Sequence, residues 1–146
     1  MSSLTIRRLC YQDDPNIEKI RYLVFQIEQG VSAALEFDGK DKQCEHLIAY
    51  QNGEAVGTAR LRELDRHTLK IERLAVIQTA RKQGVATALM QNAIEFARDR
   101  AYTQIVLNAQ TYIKPFYLKL GFEPVGEEFL EAGIRHIKMI QNRSIS

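Results

Sequence analysis

Between Thr68 and Ala109 the chain runs through a pattern that few folds accommodate. A strand-like stretch, Thr68 to Val76, gives way to a polar loop, Ile77 to Gly84, and then to an amphipathic segment. In that segment Ala86, Leu89, Met90, Ala93, Ile94 and Ala97 fall at i, i+3, i+4, i+7, i+8 and i+11, the buried stripe of a helix. Gln104 to Ala109 follows, rich in β-branched and aliphatic residues. Strand, loop, helix and strand in that order make a crossover unit. The spacing therefore predicts that 68–76 and 104–109 are parallel neighbours in one sheet.

The flanking sequence fills in the sheet. Leu4 to Cys10 reads as a first strand. Asp14-Pro15 supplies an N-cap and a proline at the first helical position, and Ile17, Ile20, Leu23, Val24 and Ile27 define a helical stripe. His46 to Gln51 and Ala55 to Glu63 are strands joined by Asn52-Gly53, a strong hairpin signal, and with 68–76 they form an antiparallel meander. Pro115 opens a short helix that Gly121 closes; strands near Phe122 to Val125 and Ile134 to Ile140 follow. These elements predict one α/β domain over residues 1–146, with a mixed, mostly antiparallel sheet flanked by helices.

Charge narrows the function classes. Twenty basic residues against 18 acidic give a net charge of +2, with no dense basic stripe of the kind a nucleic-acid binder carries. No run approaches the ~20 apolar residues that span a bilayer, and the N-terminus lacks a signal-peptide core, so a cytoplasmic protein with no membrane partner is expected. Cys10 and Cys44 fit reduced packing thiols, and three scattered histidines without a CxxC give no metal site.

The loop carries the chemistry. In Arg81-Lys82-Gln83-Gly84-Val85-Ala86, a glycine at the mouth of a helix lets an anion approach backbone N–H groups with no Cβ in the way. The first helical turn adds unpaired donors and the positive end of the helix dipole, a place for a pyrophosphate. Arg81 and Lys82 supply charge, and the small Ala86 permits close packing. Walker A spacing and the dinucleotide glycine fingerprint are both missing.

Taken with Ile71-Glu72-Arg73-Leu74-Ala75-Val76, Leu107-Asn108-Ala109 and Phe116-Tyr117-Leu118-Lys119-Leu120-Gly121-Phe122, this loop resembles the GNAT superfamily of N-acetyltransferases. Order, spacing and context agree over roughly residues 46–140, and the ending around Glu127 to His136 is similar to a bacterial subgroup of small acetyltransferases. The resemblance implies a splayed sheet and acetyl-CoA as co-substrate. It also implies a β-bulge near Leu74-Ala75-Val76 whose unpaired backbone groups receive the pantetheine arm. Residues 81–87 (Arg81, Lys82, Gln83, Gly84, Val85, Ala86 and Thr87) would hold the pyrophosphate. Asn108 would bind the same arm, and Phe116 and Lys119 complete the cofactor set.

Two catalytic roles follow from the resemblance. Tyr117 would protonate the departing thiolate as general acid; its alternative is a half-buried aromatic of the helix stripe. An alkylammonium has a pKa of about 10.4 and must lose a proton before attack, for which Glu72 is the expected base, directly or through water. The alternative for Glu72 is a cross-strand partner for an arginine of the adjacent strand. A backbone N–H near Leu74 would polarise the thioester carbonyl.

The expected reaction is transfer to a primary amine, on a small molecule or a lysine, by direct attack in a ternary complex. Acidic residues at Glu28, Glu36, Asp38, Asp41, Glu127, Glu128 and Glu131 suggest a cationic acceptor, or else solvated loop charge. A non-catalytic acyl-CoA sensor on the same fold is the alternative function, and a protein without a cofactor the next. The open sheet edge makes a homodimer an expectation.

Overall fold

The computed structural model describes residues 3–143. Seven strands form one sheet: β1 Leu4–Cys10, β2 Glu45–Gln51, β3 Glu54–Asp65, β4 Thr68–Val76, β5 Gln104–Gln110, β6 Glu123–Glu131 and β7 Ile134–Asn142. Their order is β1-β2-β3-β4-β5-β7-β6. Each pair is antiparallel except β4 and β5, which are parallel across the helical crossover, as the spacing predicts. Asn52 and Gly53 both take positive φ, the geometry that lets a two-residue turn follow the twist of β2 and β3.

Helix α3, Val85–Asp99, covers one face. It buries Val85, Leu89, Met90, Ala93, Phe96 and Ala97; Ala86 and Ile94, expected in the stripe, are only half-buried. Each large apolar side chain buried here contributes roughly 1.5–3 kcal/mol. The close approach depends on Gly57 of β3. A Cβ there would stand 3.0 Å from both Leu89 Cδ1 and Val85 Cγ1. The short helix α4, Lys114–Lys119, lies beyond β5 and carries proline in its first turn.

Helix α1, Asn16–Arg21, lies against the opposite face and begins one residue later than expected, with Asp14 Oδ1 accepting the Asn16 N–H at 2.9 Å. Its continuation, Tyr22–Glu28, is π-helical. That wider turn departs from the 3.6-residue period. Ile17, Ile20 and Val24 are buried as predicted, but Leu23 and Ile27 face outward, Ile27 at 61% exposure, while Arg21 turns inward. A one-turn helix α2, Ala33–Glu36, is capped by Ser32, whose side chain accepts from Leu35 N–H.

Strand β6 is longer than its sequence suggests because every residue in it is exposed, leaving no alternation to read. A bulge between Val125 and Phe129 interrupts its pairing with β7. Cys44 is buried, but Cys10 is exposed at the end of the edge strand β1, so only one of the two thiols packs in the core. No helix among the described residues is long and apolar enough to cross a membrane.

One departure from regular pairing positions the site. β4 and β5 are in register only over Thr68–Lys70 and Gln104–Val106. Past that point β4 carries an extra residue: Arg60 pairs with Glu72 but Thr58 with Ala75, so Arg73 and Leu74 share one place opposite β3, with Arg73 at φ +56°. The bulge sits slightly before the expected Leu74–Val76. Such a bulge breaks the ladder and adds twist, and here the two strands part.

Candidate active site

A cavity of about 550 Å³ occupies the gap between the parted strands. Leu74, Ala75 and Val76 line it from β4, and Leu107 and Asn108 from β5. Ala86, Arg81 and Tyr117 meet them from the α3–α4 side, and Val24, Phe25 and Val31 from the α1 side. Phe116 and Lys119 lie outside its wall, as do Lys82, Gln83, Gly84, Val85 and Thr87.

Those last five residues belong to the loop and first turn of α3 that adjoin Arg81 and Ala86 of the wall. Lys82 (φ +63°) and Gly84 (φ +85°) both adopt left-handed backbone, which wraps the loop round the start of α3. A side chain at Gly84 would meet nothing within 4 Å, so the loop is open on that side. The first α3 bond runs from Ala88 N–H to Gly84 O at 3.0 Å; the N–H groups of Val85, Ala86 and Thr87 precede it and have no intrahelical acceptor. Val85 itself is buried, so it anchors the start of α3 in the core. Gln83 Nε2 donates to Thr79 O at 3.3 Å. Arg81 donates from Nε to Val76 O at 3.0 Å and from its other nitrogens to Glu28, fastening the loop to β4 and to the π-helical continuation of α1. Lys82 is exposed and has no ion-pair partner among the described residues.

Tyr117 is buried edge-on between Phe116 and Phe122, with ring centroids 5.0 and 6.2 Å away. Its hydroxyl has no protein partner among the described residues, and it is not sealed from solvent. Burial pushes the phenol well above its ordinary pKa of 10, so the proton stays on the oxygen at neutral pH. Asn108, at the far end of β5, donates from Nδ2 to Glu131 Oε1 at 3.3 Å.

Glu72 lines the same cavity but is heavily engaged. Arg60 reaches it through Nε at 2.9 Å and through Nη2, Arg62 through Nε at 2.9 Å and Nη2 at 2.6 Å, and Lys70 Nζ stands 3.4 Å away. Burial raises the acid's pKa, but hydrogen bonds from Arg62 and Arg60 outweigh it and hold the carboxyl down to about 2. A carboxylate that weak takes a proton from an ammonium poorly. The geometry is that of a cross-strand ion-pair partner.

Arg60, 1% exposed, also binds Asp38 at 2.7 and 2.8 Å and Asp41 at 3.1 Å. Arg21 binds Glu36 at 2.5 Å and Asp41 at 2.6 Å. The acidic character expected of residues 28–41 is therefore spent on arginines: Glu28 on Arg81, Glu36 and Asp41 on Arg21, Asp38 on Arg60. Glu128 pairs with Arg135 at 3.4 Å. His136, for which the sequence gives no catalytic signal, also lines the cavity. Only the β5–β7 register, Gln110 opposite His136, brings it there, and no local pattern announces that register.

A sheet parted beside a helix-capped loop is the fold of the acyl-CoA N-acyltransferases. The protein of that name from Pseudomonas aeruginosa superposes with a TM-score of 0.83 at 30% identity, covering 95% of this chain and 99% of that one. Escherichia coli ElaA superposes with a TM-score of 0.84 at 26% identity, over 96% and 100%. Among curated proteins, the uncharacterized N-acetyltransferase YjcF of Bacillus subtilis is 37% identical over 84% of this chain and 88% of its own. Residues 12–142 match the family described as Acetyltransferase (GNAT) domain, and the chain belongs to that family. Membership supports N-acetyltransferase activity in general.

Proposed function

We propose that the protein transfers an acetyl group from acetyl-CoA to a primary amine. The observation that carries this reading is the parting of β4 and β5 beyond Lys70, next to the unpartnered phenol of Tyr117. Acetyl-CoA supplies a thioester, an activated acyl carbon with a thiol leaving group. The N–H groups of Val85, Ala86 and Thr87, opened by Gly84 and flanked by Lys82, suit a pyrophosphate. Leu74, Ala75 and Val76 present the edge of β4 that β5 leaves unpaired, and Asn108 offers an amide across the gap.

Tyr117 keeps its proton at neutral pH and gives it to the departing sulfur. Phe116 holds that ring edge-on. Lys119, exposed on α4, is assigned to the cofactor's phosphates by charge alone. Arg81 acts by shaping the loop, because its own charge is met by Glu28. Glu72 contributes by fixing β3 to β4 under the acceptor side rather than by taking a proton. The acceptor, a small-molecule amine or a lysine, enters from the α1 and β6–β7 side and attacks directly in a ternary complex.

The test is thermal unfolding with and without CoA, followed by thiol release from acetyl-CoA against an amine panel. A rise in Tm with CoA and turnover that collapses in Tyr117→Phe support the transferase. A rise in Tm without turnover supports the non-catalytic sensor instead.

A further inference from the structure

We propose that His136, assisted by Glu131, binds the acceptor as an ammonium and takes its proton. The assignment rests on the transferase reading and fills the role that Glu72 is too heavily ion-paired to perform.

The ring of His136 is fixed. Its Nδ1 lies 2.7 Å from Ile134 O, and a carbonyl only accepts, so Nδ1 carries the proton. Phe129 stacks on the ring at 5.9 Å with planes 23° apart. In the neutral imidazole the lone pair is then on Nε2. Nε2 has no hydrogen-bond partner among the described residues, yet it is not sealed from solvent as His46 Nδ1 is. Glu131 Oε2 stands 3.6 Å from it, beyond hydrogen-bond reach.

A lone pair and a carboxylate oxygen that close repel one another unless a cation or donor lies between them. An alkylammonium satisfies both. Glu131 also accepts from Asn108, so the pair is one carboxylate away from the β5 side of the parted strands. Among the other carboxylates lining the cavity, Glu36, Asp38 and Glu72 are each bound by an arginine. Glu131 from β6 is the charged group beside His136, Lys138 lies two residues along β7, and Tyr112, Tyr117, Arg62, Lys70 and Arg81 line the same cavity. The paired Glu36, Asp38 and Arg73 line that cavity too.

The proton count closes. One proton passes from the ammonium to Nε2 and then to solvent. The N–C bond forms as the C–S bond breaks, its electron pair leaving on sulfur, which takes the proton of Tyr117. The second proton lost by the acylated nitrogen restores that phenol.

Two measurements test this. In the ¹⁵N spectrum of histidine-labelled, CoA-free protein at pH 8, the ring of His136 is expected to carry hydrogen on Nδ1; hydrogen on Nε2 alone overturns the assignment. Thiol release from acetyl-CoA is then followed from pH 6 to 9.5 with 2-phenylethylamine, spermidine and Nα-acetyllysine methyl ester. His136→Asn keeps a donor for Ile134 O but has no base, and His136→Gln serves if it folds poorly. Either should lose kcat by roughly 100-fold and alter the pH profile of kcat/KM, with KM for acetyl-CoA unchanged. Glu131→Gln, at an exposed position, should raise the amine KM roughly tenfold with a smaller change in kcat. Turnover within threefold of wild type and an unaltered pH profile in both His136 variants overturn the role of His136 while the transferase stands. Wild-type protein that binds CoA but turns over none of the amines contradicts the transferase and this assignment together.

Discussion

Arg60 of β3 and Glu72 of β4 are direct cross-strand partners, joined through Arg60 Nε at 2.9 Å with the guanidinium 1% exposed. The same guanidinium holds Asp38 and Asp41, so one buried cation ties the segment after α2 to the floor of the cavity. Breaking a buried pair from one side strands charge on the other.

Arg60→Gln should therefore destabilise the fold by about 3–5 kcal/mol. Urea unfolding checks this. A loss under 1 kcal/mol would mean that the acidic partners find water or Arg21 and Arg62 instead.

Stability should fall in acid in two stages. His46 is buried, which lowers its pKa below 6.5, so unfolding takes up a proton and stability declines as the pH drops below about 6.5. Glu72, held at about 2 against an ordinary 4.5, contributes stability that is full above 4.5 and lost as the pH falls toward 2, about 3 kcal/mol in all. Arginine partners also hold Asp38 and Asp41 low, which steepens the second stage. Tm measured from pH 7.5 to 2.5 checks both, and Glu72→Gln should flatten the second stage.

Tyr117→Phe preserves the edge-on packing with Phe116 and Phe122 and removes only a hydroxyl that has no protein partner. The variant should unfold within a few degrees of wild type while kcat falls about 100-fold or more. Equal losses of stability and activity would assign the ring a packing role alone.

Gly57→Ala presses a methyl group against Val85 and Leu89 and within 3.2 Å of Ala75 O. The expected cost is about 1–3 kcal/mol. Because Val85 is the first residue of α3, the same displacement should weaken CoA binding, measurable by calorimetry; unchanged affinity would mean that the loop does not depend on the seating of the helix.

Short-range patterns carried most of this architecture. The crossover from β4 through α3 to β5 follows from one apolar stripe and one glycine, and the Asn52-Gly53 turn from its dipeptide. What escaped was set by distant partners. Arg21 and Arg60 are buried because carboxylates 12 to 22 residues away meet them, whereas charged residues alone read as surface. Leu23 and Ile27 turn outward because the backbone widens to π-helix, which a 3.6-residue stripe cannot register. At the site, Glu72 and Tyr117 do line one cavity, but the engagement of Glu72 and the approach of His136 depend on strand register. Neither is written in a local motif.

The most direct test of the account is calorimetric titration of the protein with CoA, alongside the variant Gly84→Val. The account predicts saturable binding of one CoA per chain, weakened at least tenfold by a β-branched side chain at a φ of +85° on the rim of the loop. Absence of binding by the unaltered protein at millimolar CoA would contradict it.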